Sequence, residues 1–317
     1  MSVQTQLRAA KKIEVIVLMD NTVDYLSSSS KPEVVPLWRW TQRSQPQLPI
    51  AEHGFSVLVR SYFDGGVSTV LFDTGISSDG VVLNAQRMGV DLTAVDWVVL
   101  SHGHYDHFGG LIAALKAIGK ADLPLITHHY MFRPRGSASA SGTVRVSLPF
   151  PSPSELGSAK IINTTSPYLI ARDSVCVTGE IPRVTAFEVG YPANRVWVGE
   201  EWVPDPDILD DRALVLNLAG KGLVVISGCA HAGIINTVRY AQQITGEKRV
   251  YAVLGGFHLA GKENERRIDV TIAELKAINP ALVVPFHCTG WRAVQAFAKE
   301  FPDAFAQNSV GNLYSLR

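Results

Sequence analysis

The sequence predicts a mixed α/β domain in which helices cover the faces of sheets. Early strand-like runs come in pairs joined by tight turns, and later ones alternate with helical runs. Four apolar runs, "VVLSHGH", "VVISGCAH", "AVLGGFH" and "VVPFH", each end in histidine. Ligand sites of open α/β sheets form beyond the carboxyl ends of strands. The same observation therefore speaks to function as well as fold.

The elements follow in order. "KIEVIVLM" (12–19) alternates and is β-branched, which predicts a strand. A polar loop, "DNTVDYLSSSSKPEVVP", comes next. Residues 53–75 read as a hairpin turning at "DGG", and "SSDGVVLNAQRMGV" as a short helix ended by Gly89. "VDWVVL" is a strand, "SHGHYDHFGG" a loop, "LIAALKAIG" a helix and "LPLITHH" a strand. Residues 129–212 are rich in Pro, Ser and Gly and read as an irregular insertion in a single domain spanning 1–317. "RALVLNLAGKGLVVISGCAH" is a second hairpin. Then come helix "AGIINTVRYAQQITG", strand "KRVYAVLGGFHL", helix "ENERRIDVTIAELKAINP", strand "ALVVPFHCTG" and helix "WRAVQAFAKEF".

Composition narrows the function classes. The chain has 317 residues, 46% hydrophobic and 18% charged, with zero formal net charge. It can bury a large core, and nothing in its charge favours nucleic acid or an anionic membrane surface as partner. Three cysteines, Cys176, Cys229 and Cys288, make no disulfide framework. The leading "MSVQTQLRAAKK" and the short apolar run after it do not read as a signal peptide, and no run has membrane-span length. The expectation is a cytoplasmic protein acting on a small-molecule substrate, with no nucleic acid and no membrane.

"SHGHYDHFGG" (101–110) carries the chemistry. Imidazole and carboxylate are the usual ligands of zinc and also suit manganese and iron. In an extended segment, residues two apart point the same way, so His102 and His104 can hold one ion together. Asp106 and His107, where the chain turns into the helix, can address a second. Two such ions can hold a hydroxide at neutral pH and polarise a carbonyl or phosphoryl oxygen. His231 and His287, at other strand ends, are further candidate ligands. His258 is open between ligand, proton donor and substrate contact. His128 and His129 read as structural.

The signature "SHGHYDH", with "VLFDTG" upstream and "VVPFH" downstream, resembles the HxHxDH pattern of the metallo-β-lactamase superfamily. "VLMDNT", "EHGFS", "SGCAHAGIINTV", "GGFHL" and "PFHCTG" add a narrower likeness. They resemble the subgroup of 7,8-dihydropterin-6-methyl-4-(β-D-ribofuranosyl)aminobenzene-5′-phosphate synthases, which use a dihydropterin diphosphate. The resemblance implies a four-layer αββα sandwich with two divalent transition metal ions at one edge. His102 and His104 match ligands of the first ion, and Asp106, His107 and His287 ligands of the second. Asp106 and His258 are then candidate catalytic residues, and Asn21, His53 and His258 candidate substrate contacts.

Two departures from the superfamily pattern stand out. "DPDILDD" lacks the histidine that usually completes the first site, and Cys229 stands where a bridging aspartate is usual. His231 is the natural replacement for that histidine. Cys229 either bridges or lines the site, and Asp210 and Asp211 are substitute carboxylates. Three functions fit: a metal-dependent hydrolase of esters, lactones or phosphoesters; a dihydropterin diphosphate transferase; and a non-catalytic metal-containing binding protein.

Overall fold

A computed structural model describes residues 5–42 and 47–317; residues 1–4 of the leading segment lie outside the described residues. Two large sheets face one another. The first runs, in spatial order, through Lys160–Asn163, Pro124–Thr127, Trp97–Val99, Gly66–Phe72, Ser56–Phe63, Lys12–Met19, Leu313–Leu316 and Val34–Val35. The second runs through Tyr168–Ile170, Val175–Val177, Ala213–Leu218, Gly222–Ser227, Val250–Gly256 and Leu282–Phe286, with Ala9–Ala10 pairing alongside Ala213–Leu218.

The side-chain period of two builds the layers. Val15 and Val17 of the first strand face the second sheet, joining Val57, Val59, Leu214, Leu216, Val224 and Ile226 in the inter-sheet core. Ile16 and Leu18 point the other way, against the helices Gly80–Met88 and Leu111–Ile118. The outer face of the second sheet packs on the helices Ile234–Thr245, Ile268–Ile278 and Trp291–Glu300 through Ile235, Val238, Leu275 and Phe297. Each such fully buried aliphatic side chain contributes roughly 1.5–3 kcal/mol of transfer free energy. The result is the expected four-layer αββα sandwich.

The hairpins at 56–72 and 213–227 form as the sequence predicts, and Gly89 ends its helix in the left-handed conformation. The predicted helix over 263–280 is broken into Lys262–Glu265 and Ile268–Ile278. The segment 129–212 is not simply irregular. It supplies Lys160–Asn163 to the first sheet and Tyr168–Ile170 and Val175–Val177 to the second. Its remaining strands, Arg135–Ala138, Val144–Val146, Asn194–Val198 and Glu201–Pro204, form a separate four-stranded sheet. Three- to five-residue strands are too short to show a period above Pro, Ser and Gly.

Register brings the functional strand ends level. Phe72 pairs with Val99, Ser227 with Gly255, and Gly256 with Phe286, all in parallel. Arg212 N donates to Ser101 O at 3.1 Å, tying the two sheets at this edge. Gly228 makes the approach possible: a Cβ there would sit 2.3 Å from Ser101 Oγ.

Candidate metal centre

Two groups of ligand atoms meet at the sheet edge. In the first, His102 Nε2 lies 3.0 Å from His104 Nδ1, and His231 Nε2 lies 3.1 Å from each. Three imidazole nitrogens thus form a nearly equilateral triangle. Ligand nitrogens about 2.0–2.1 Å from a tetrahedral ion lie roughly 3.3 Å apart, so this triangle fits one divalent ion. The protonation states agree. Burial and the neighbouring imidazoles push His102 and His231 well below the usual histidine range. Burial and the Arg135 guanidinium bring His104 to about 4. All three are neutral at neutral pH and offer lone pairs, and His231 Nδ1 is buried without a hydrogen-bond partner.

The second group comprises Asp106, His107, Cys229 and His287, whose ligand atoms all lie within 4.8 Å of one another. Asp106 Oδ2 is 3.3 Å from His287 Nε2 and 3.6 Å from His107 Nε2, and Cys229 Sγ is 3.1 Å from His107 Nε2. Burial opposes charge on Asp106, but the imidazoles of His107 and His287 hold its carboxyl far below the usual range. Burial also opposes charge on His107, yet the Asp106 and Asp73 carboxylates raise it to about 9. The donor set of carboxylate, imidazole and sulfur fits a second borderline ion. Cys229 also lies within reach of His102 and His231, so its sulfur stands where the two groups meet.

A hydrogen-bond network behind the ligands fixes their orientation. His107 Nδ1 lies 2.7 Å from Asp73 Oδ2, and His102 Nδ1 lies 2.9 Å from Ser101 Oγ. The Ser101 hydroxyl and amide both donate to Asp73, each at 2.6 Å. One buried carboxylate therefore sets the ring orientation of a ligand in each group. Asp73 is the aspartate of "VLFDTG"; the sequence analysis used that motif without giving its aspartate a role.

The remaining candidates divide. Asp210 accepts from Gly103 N at 2.8 Å and pairs with Arg135, and Asp211 accepts from Ala232 N at 2.9 Å. Both hold ligand-bearing loops. Burial pushes Asp211 up to about 7. Asn21 donates its amide to the carbonyl of His287 at 3.0 Å, so it supports the His287 loop where a substrate contact was expected. His53 is at the mouth: its side chain is 63% exposed, its Nε2 is 3.6 Å from Asp106 Oδ2, and its ring stacks on His287. His128 serves structure, facing Glu180 and accepting from Tyr130 N. His258 belongs to neither group. Its ring centroid is 4.2 Å from that of His231, and its ligand atom clusters with Cys229 and Cys288.

A four-layer αββα sandwich with an HxHxDH loop opening on two ligand groups defines a class. The family model of the metallo-beta-lactamase superfamily matches residues 50–231, and the chain belongs to that superfamily. Among its relatives is the 7,8-dihydropterin-6-methyl-4-(β-D-ribofuranosyl)-aminobenzene-5′-phosphate synthase of Methanocaldococcus jannaschii, 29% identical over 83% of this chain and 90% of that protein. The structure of Tm1679, a metal-dependent hydrolase of the β-lactamase superfamily, matches with a TM-score of 0.72 at 27% identity. That match covers 96% of this chain and 98% of Tm1679. The metallo-β-lactamase fold protein YhfI of Bacillus subtilis shares the fold at 14% identity, with a TM-score of 0.52 over 96% of this chain and 99% of its own.

Proposed function

We propose that this chain is a metal-dependent hydrolase that cleaves an ester, lactone or phosphoester bond of a small molecule. The observation that carries the reading is the meeting of an all-imidazole group and a carboxylate-containing group at one sulfur. Bound there, two divalent ions, zinc with manganese or iron as substitutes, supply Lewis-acid charge for a developing oxyanion and acidify water toward neutrality. His102, His104 and His231 would hold one ion, and Asp106, His107, Cys229 and His287 the other. Asp106, kept unprotonated between two imidazoles, faces the mouth through His53. The exposed His53 imidazole is placed to hydrogen-bond substrate or to give a proton to a leaving group. Buried free thiols at all three cysteines suit a reducing, cytoplasmic setting. Among the described residues no helix is long and apolar enough to cross a membrane.

A second reading is favoured by one finding, the 29% identity over most of the chain to the pterin-pathway synthase. In that reading the same residues bind a dihydropterin diphosphate, and an aromatic amine partner attacks in place of water. One experiment separates the two. Zinc- and manganese-loaded protein is incubated with a panel of esters, lactones and phosphodiesters, and separately with a dihydropterin diphosphate with and without the aminobenzene partner. Hydrolysis lost in a His102→Ala, His104→Ala variant supports the hydrolase. Pyrophosphate release that requires the aminobenzene partner supports the transferase. No turnover of any substrate leaves a metal-containing binding protein.

A further inference from the structure

The paired glycines before His258 read, in sequence, as room for substrate. The structure puts something else there. A Cβ on Gly256 would sit 2.7 Å from Cys288 Sγ and 3.2 Å from Cys229 Cα. Gly256 therefore makes room for two cysteines that approach from neighbouring strand ends. His258 faces the same place. Its ligand nitrogen and the sulfurs of Cys229 and Cys288 lie within 4.8 Å of one another.

The surroundings hold this trio in position. Phe257 N donates to Thr289 Oγ1 at 3.0 Å and Ala260 N to Cys288 O at 3.2 Å, clasping the two segments together. Arg267 donates to the carbonyl of His258 at 3.0 Å. His258 itself has φ of 47°, a left-handed conformation that strains a non-glycine residue and concentrates at functional sites. Both of its ring nitrogens are shut off from solvent, and the Cys288 thiol is the side-chain partner beside them. A buried imidazole whose nearest polar neighbours are sulfurs is weakly satisfied as it stands and gains from a cation held between them.

We propose that Cys229, His258 and Cys288 form a third, sulfur-rich cation site beside the two ligand groups, suited to zinc. Two thiolates and one imidazole are a common zinc donor set, and thiolate sulfurs on a tetrahedral zinc lie roughly 3.8 Å apart, inside the observed limit. Each thiol loses its proton to solvent as the ion binds. Cys229 would then share its sulfur between this site and the carboxylate-containing group. The proposal does not depend on which bond the protein cleaves.

Cobalt loading of the full chain, reduced and free of oxygen, tests it. Cobalt content and the sulfur-to-cobalt charge-transfer absorption are compared among the native protein, Cys288→Ala and His258→Ala. Both variants are expected to lose about one equivalent of cobalt and roughly two-thirds of the sulfur-derived absorption, with the remaining equivalents retained. Native cobalt content and absorption in both variants would overturn the proposal. Native protein that takes up no cobalt at all would overturn both this proposal and the reading of the two ligand groups. Should a variant misfold, anomalous diffraction from native crystals grown with zinc decides. A peak between Cys229, His258 and Cys288 supports the site, and peaks at the two main groups alone refute it.

Discussion

The first ligand group contains three imidazoles and no carboxylate; the second combines a carboxylate, two imidazoles and a thiol. Both are buried at the same sheet edge and burial opposes charge on the imidazoles of both, yet the outcome differs. In the first group desolvation and neighbouring positive charge outweigh the Asp106 and Asp210 carboxylates near His104, and His102, His104 and His231 stay neutral. In the second group Asp106 and Asp73 overcome desolvation and keep His107 protonated to about pH 9. The comparison teaches that two sites a few ångströms apart need not bind metal alike. The first is prepared as a set of lone pairs, whereas the second must expel a proton before it can bind.

The largest expected effect breaks the first group outright. His102→Ala combined with His104→Ala removes two of three nitrogens from one ion. Metal content measured after dialysis should fall to the background of metal-free protein in that group. Full retention would refute the assignment.

His287→Ala is aimed at the second group alone. It removes one imidazole and leaves the triangle of the first intact. The expected outcome is loss of about one ion per chain with the tighter ion retained. Loss of all metal would show that the two groups bind as a single unit.

The third prediction uses pH. Metal binding to the second group displaces the proton of His107 and that of the Cys229 thiol, which burial pushes up, so its affinity should rise more than tenfold per pH unit up to about 9. The sign follows from the raised value: the protonated form dominates below it and competes with the ion. Near neutral pH the first group has no proton to displace, since His104 sits at about 4 and burial holds the other two well below the usual histidine range. Zinc titrations of metal-free protein between pH 6 and 8.5 should show one flat and one rising affinity. Two parallel slopes would erase the distinction.

The smallest effect concerns the network behind the ligands. Asp73→Asn keeps the volume but turns one of the two accepting oxygens that orient His107 and Ser101 into a donor and removes the charge. An orienting partner of this kind is worth about 10–100-fold in metal affinity. The second group should weaken more than the first, because His107 touches Asp73 directly while His102 reaches it through Ser101. Equal weakening would make Asp73 a general support of the fold.

What could be read from the sequence follows the range of the interactions. The strand at 12–19 and the hairpin at 56–72 show their alternation locally, so their boundaries were legible. His102 and His104 were legible because two residues in one extended segment share a face. His231 and His287 were legible as strand ends once the strands were taken to stop at one edge. The hydrogen bond between Asp73 and His107 was not, because it spans 34 residues and depends on how two parallel strands register. The partner of Asn21, 266 residues away, was equally hidden, and its amide turned inward to a backbone carbonyl. The clustering of His258 with Cys229 and Cys288 was hidden for the same reason: nothing local announces that Cys288 comes up beneath Gly256.

The central claim is that His231 completes the first group in place of a histidine missing upstream. Diffraction from crystals of the zinc-loaded protein at the zinc absorption edge tests it most directly. The account expects an anomalous peak about 2.0–2.1 Å from His102 Nε2, His104 Nδ1 and His231 Nε2 together. A zinc peak held by His102 and His104 with the His231 ring turned away from it would contradict the account.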